Sequence, residues 1–133
     1  MIGTLKKAVL VVLITVALVL GASMTARFAG DAPSHGKISV EILNGCGIHG
    51  LGASTRSLLR EKDFDVIDVS NADRFDYLYT IALDRTGQIS RAREVISALG
   101  TGEAITQITD NNLAEVTLIL GEDSEKSVRG HER

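Results

Sequence analysis

The 133-residue chain has no tryptophan, a single cysteine, a single proline and three histidines, and only 4% of its residues are aromatic. Each scarcity excludes something. Cys46 alone permits no internal disulfide, so whatever fold forms is held by packing. From Lys37 onward the aromatic side chains are Phe64, Phe75, Tyr77 and Tyr79, a thin set for stacking sugars or bases. His35, His49 and His131 are far apart and no Cys/His spacing suits a metal, so no metal site is expected. Basic clusters are also missing: all 17 acidic residues follow Arg27, whereas Lys6 and Lys7 precede it. That acidic balance argues against nucleic-acid partners and against anionic lipid.

What is present divides the chain. From Ala8 to Ala26 no residue is charged and no polar face interrupts the apolar run. A helix needs about 20 such residues to cross a bilayer, and residues 8–26 are therefore expected to be one transmembrane helix. Lys6 and Lys7 place residues 1–7 in the cytoplasm by the positive-inside rule, which puts the rest outside the cell membrane. A cleaved signal peptide shares the charged start and apolar run, but GASMTARFA is a poor small-x-small cleavage site, so a retained anchor is the favoured reading. Residues 27–36, with the only proline, read as a linker.

Residues 37–122 carry the patterns of a small folded domain. Ile38, Val40 and Ile42 alternate with Ser39 and Glu41, the mark of a half-buried strand. Leu51, Leu58 and Leu59 form the apolar stripe of a helix whose other face carries Arg56, Arg60 and Glu61. FDVIDV reads as a second strand and YLYTIAL as a third. Ile89, Ala92, Ile96 and Leu99 share a face of a second helix that Gly100 should cap. AITQI and EVTLILG complete the order β-α-β-β-α-β-β. The expected fold class is α/β, an α+β two-layer sandwich with a split βαβ-like sheet and both helices on one face. The charged tail, residues 123–133, is expected to be disordered.

The turn Gly45-Cys46-Gly47-Ile48-His49-Gly50 lies between a strand and a helix and matches G-x-G-x-x-G, with Asp68 further on. Three points count against a nucleotide cofactor, and none is expected. The first strand has a wet face, the chain is too short for a doubly wound sheet, and an exported domain meets little cofactor. The glycines instead permit positive φ and close packing of helix on sheet. Cys46 and His49 near a helix start could form a nucleophile, but no third residue orients the histidine. Asp63, Asp65, Asp68, Asp73 and Asp76 read as a solvated rim that Arg74 balances, and Asn44 as a residue that caps the helix or fixes the loop.

The run from Val40 to Tyr77 resembles the opening of the LytR/CpsA/Psr C-terminal domain family (LytR_C), with its Asn-Gly-x-Gly-x-x-Gly-Leu-Ala-like turn and a later Gly-Asn-Ala-Asp-like segment. EVTLILGED is similar to its closing strand. The likeness spans Lys37 to Asp123; Gly52 stands where alanine is common. It implies an envelope location and a role in wall or surface-polymer assembly, in the arrangement where the domain stands alone behind one membrane anchor. The family's glycopolymer-attaching module is absent, so its activity is not implied here.

The expected function is thus a non-enzymatic, membrane-anchored envelope module. Its partner would be peptidoglycan, another wall glycopolymer or an envelope protein, bound through Asn44, Gly45, Gly47, His49, Gly50, Asn71, Asp73 and Arg74. The alternatives are a structural subunit of a membrane complex and, further off, a thiol-dependent enzyme using Cys46.

Overall fold

The computed structural model describes the backbone of residues 2–29 and 36–133, and side chains of 2–17 and 36–133. It falls into two compact units, Met1–Gly36 and Lys37–Arg133.

The first unit is one helix, α1 (Ile2–Ala29). It runs three residues past the expected end of the apolar run, and the expected linker lies largely outside the described residues. Val9 to Ile14 are all exposed, so this stretch of the helix is apolar on every side. Among the described residues no helix is long and apolar enough to cross a membrane. The side chains of the second half of the expected span, residues 18–26, lie outside the described residues.

The second unit holds β1 (Ser39–Asn44), α2 (Leu51–Glu61), β2 (Asp65–Asn71), β3 (Ile81–Asp84), α3 (Ile89–Leu99), β4 (Glu103–Thr106), β5 (Val116–Leu120) and α4 (Ser124–His131). The five strands form one sheet in the order β2-β1-β5-β3-β4. β1 is parallel to both β2 and β5, β3 is parallel to β4, and β3 meets β5 antiparallel. The mixed α/β fold with alternating strands and helices is as the patterns predict.

The split βαβ arrangement is not. Each helix joins two strands that are direct neighbours, and the last strand enters between the two βαβ units instead of within one. The reason lies in β5 itself. Val116, Thr117, Leu118 and Leu120 are all buried, and a strand buried on both faces belongs in the middle of a sheet.

Both α2 and α3 lie on one face of the sheet and touch each other. Under them sits the core: Val40 and Ile42 of β1, Val66 of β2, Ala82 of β3, Leu118 and Leu120 of β5, with Leu58, Leu59, Val95 and Leu99 from the helices. Each fully buried Leu or Ile here contributes about 1.5–3 kcal/mol. Gly100 ends α3 in the left-handed conformation, φ 86°, and its N–H returns to the Ile96 carbonyl, as the sequence predicts.

The tail is the second correction. Residues expected to be disordered form α4, because Ser124 and Val128, one turn apart, are both buried on the flank of α2 and α3. The Glu125–Arg129 ion pair spans the exposed side of the same turn at 3.1 Å.

Candidate functional site

β1, β2 and β5 finish at the same end of the sheet at which β3 and β4 begin. The glycine turn and the Asn71–Asp76 loop, two segments far apart in sequence, meet there. The Ala72 N–H donates to the Asn44 carbonyl at 2.9 Å, and the Tyr77 N–H donates to the Gly45 carbonyl at 2.9 Å. The chain from Tyr77 onward then runs beside the end of β5, where the Glu122 and Asp123 N–H groups donate to the Tyr77 and Leu78 carbonyls.

Asn44 builds the turn. Its Oδ1 accepts from the N–H groups of Cys46 and Gly47, both at 3.2 Å, while its Nδ2 donates to the Ile48 carbonyl at 3.0 Å. Of the two roles expected for this residue, it takes loop fixing and not helix capping. The N-cap of α2 is Gly50, whose φ of 78° favours glycine and supplies no side-chain cap. Gly45 is required for a different reason. A Cβ there would lie 2.7 Å from the Tyr77 ring and 2.8 Å from the Leu120 carbonyl oxygen, so the crossing loop packs directly on its backbone.

Between the two segments opens a crevice of about 470 Å³. Asn44, Gly47, His49, Gly50 and Asn71 line it, together with Ser70 and Phe75. Five of the eight residues expected at the site therefore share one cavity. Gly45 lies beneath it, buried under Tyr77. Asp73 and Arg74 stand to one side: Asp73 accepts from the Tyr77 hydroxyl at 3.0 Å, and Arg74 pairs with Asp76 at 3.1 Å while lying over the Tyr77 ring. Asp76 holds the Arg74 guanidinium protonated beyond its usual range. Both residues brace the loop by these contacts.

Phe75 was not singled out by the sequence, and it forms a wall of the crevice. It is 52% exposed, with its Cβ beside the Cα of Gly47 closely enough that a methyl group there would meet it at 3.3 Å. An aromatic side chain in a turn-rich segment, with no apolar periodicity to bury it, was the available signal.

The chemistry this arrangement offers is hydrogen bonding and apolar contact. The Cys46 thiol has the Asn44 carboxamide oxygen, at 3.5 Å, as its partner, not His49. His49 is exposed and opens onto the crevice and onto a second depression that Arg129 and Arg133 flank. Among the described residues no group of three or more His, Cys, Asp or Glu is arranged to hold a metal ion. Of the acidic residues expected as a solvated rim, Asp63, Asp65, Asp73 and Asp76 are exposed and Asp68 is half-buried, and Asp63 pairs with Lys37 at 2.7 Å.

A one-layered helical cover on a five-stranded sheet, with a loop crevice at the ends of its first two strands, defines a small two-layer α/β domain. The family follows from the sequence. The model of the LytR_C family, described as LytR cell envelope-related transcriptional attenuator, matches residues 37–123, and the chain belongs to that family. A solved structure, the "Solution Structure of the C-terminal domain of RV0431", is similar at 18% identity over 69% of this chain and 78% of that chain, with a TM-score of 0.41. At that score it carries no argument. No curated protein matches.

Proposed function

We propose that the chain is a non-enzymatic module of the cell envelope that binds a wall polymer through the crevice between the glycine turn and the Asn71–Asp76 loop. The observation that carries this reading is the convergence of Gly47, His49, Asn71 and Phe75 on one cavity open to solvent. Asn71 and Ser70 offer donors and acceptors for sugar hydroxyls or stem-peptide carboxylates, and Phe75 offers a ring against which a sugar face can lie. The backbone that frames them is fixed by Asn44 and Gly45, so little order need be gained on binding.

The uncharged run Ala8–Ala26 serves as a single-pass anchor with Lys6 and Lys7 on the cytoplasmic side. Support comes from the sequence and from the continuous backbone helix of α1. A family described as cell-envelope related is consistent with that placement.

Cosedimentation with isolated peptidoglycan tests the reading. The full chain, solubilised, should pellet with the wall, and the Asn71→Ala/Phe75→Ser variant should remain in solution with unchanged circular dichroism. Wild type that stays in the supernatant would remove wall polymers as the ligand.

A further inference from the structure

The face of the sheet away from α2 and α3 is a separate surface. Within the Lys37–Arg133 unit the helices that touch the sheet lie on the other side. The register sets out this face in rows. One row reads Ser70, Leu43, Ile119, Ile81, Glu103; the next reads Asp68, Glu41, Thr117, Leu83, Ile105. Leu43, Ile119, Ile81, Leu83 and Ile105 thus form one apolar diagonal across four strands. Ile105 is 44% exposed and the other four are half-buried; Tyr79, which lines a depression with Ile81 and Ile105, is 71% exposed.

The margins are acidic. Glu41 and Asp68 are cross-strand neighbours, and like charges so placed repel. Among the described residues neither forms an ion pair. Glu103 closes the opposite margin. Arg85 is committed to the Thr117 hydroxyl and to Gln107 and pairs with neither Glu41 nor Asp68. Glu41 accepts from the Thr117 hydroxyl at 3.2 Å and Asp68 from the Ser70 hydroxyl, so each is held by a neutral group. A basic partner would find two carboxylates beside the apolar stripe with no cation paired to them.

We propose that this face docks an amphipathic helix whose apolar stripe is flanked by lysine or arginine. A second copy of the chain fits poorly, since pairing this face with itself would bring acidic margin against acidic margin. A helix suits the shape: α2 and α3 already show how a helix lies across strands of this sheet on its other face. The apolar diagonal shares no residue with the crevice; Ser70, which borders both, is the one residue common to the two surfaces.

The test uses the full chain, ¹⁵N-labelled, in phosphatidylcholine nanodiscs, with two synthetic helical peptides that share one leucine stripe and differ in lysine or glutamate flanks. The lysine-flanked peptide should cause saturable amide shifts at Leu43, Ile81, Leu83, Ile105 and Ile119, and bind at least about tenfold more tightly than its glutamate twin. Glu41→Gln/Asp68→Asn should weaken it about tenfold without altering the spectrum of the helical face. Ile105→Ser, at an exposed edge position, should weaken it too. Equal binding by both peptides would overturn the proposal. So would shifts confined to the crevice, shifts that follow protein concentration alone and so report self-association, or no saturable shift at all.

Discussion

The two βαβ units of this domain use one turn device and put it to opposite ends. In the first, Asn44 closes β1 and its side-chain oxygen accepts from the N–H groups two and three residues on, with Gly47 at φ 70°. In the second, Asp84 closes β3 and accepts from Thr86 and Gly87 in the same two positions, with Gly87 at φ 86°. Both are Asx turns that aim the chain from strand to helix. What differs is the surroundings. Asp84 is fully buried, takes a further bond from the Thr106 hydroxyl, and its turn is covered by Ile108. Asn44 faces a crevice. The same backbone geometry is anchored on a buried carboxylate in one half and on a carboxamide that lines an open crevice in the other.

Several substitutions break or sharpen that contrast. The largest effect is expected where the halves are joined. A Cβ on Gly121 would lie within 2.6 Å of the Tyr79 backbone nitrogen and oxygen, with no flexible side chain to yield. Gly121→Ala should cost upward of about 3 kcal/mol, seen as a shifted urea midpoint or as failure to fold. Next comes Asp84→Ala, which removes the buried carboxylate that accepts from Thr86, Gly87 and Thr106 and should lose about 2–3 kcal/mol in the same measurement while leaving wall binding intact below its melting point. Asn44→Ala should lose less stability, about 1–2 kcal/mol, since water reaches the freed N–H groups, yet should reduce wall cosedimentation by releasing the turn. Asn71→Ala should leave stability unchanged and reduce binding alone. If Asn44→Ala and Asp84→Ala proved equal in both measurements, the contrast between the open turn and the buried one would be wrong.

Smallest of all is Lys37→Met. The hydrogen bond to Asp63 raises the Lys37 pKa, so any stability it contributes is complete below about pH 10.5 and fades only above it. Both partners are exposed, and thermal melts at neutral pH should not distinguish the variant.

Much of this could be read from the residues alone, because strand alternation at Ile38–Ile42 and helix spacing at Leu51–Leu59 report directly on burial. The meeting of the two loops was also legible, since both follow strands that run the same way. Three things were not. The place of β5 depends on pairing partners that no local pattern encodes. The tail helix shows a single buried apolar residue, Val128, among charges, too little periodicity to reveal itself. Phe75 acquires its position only when Gly47 arrives beneath it.

The central place of β5 has a kinetic consequence. Residues 39–106 supply two parallel βαβ halves, but no strand among them bridges β1 and β3; Ser39 and Glu115 exchange two hydrogen bonds across 76 residues of sequence. Closure must therefore await the arrival of the penultimate element, and the entropy of that long loop is set against contacts made all at once. Any chain cut short before Val116 is left as two half-sheets with bare edges, prey to proteolysis. The order of strands thus makes the sheet's continuity depend on a segment near the end of the domain.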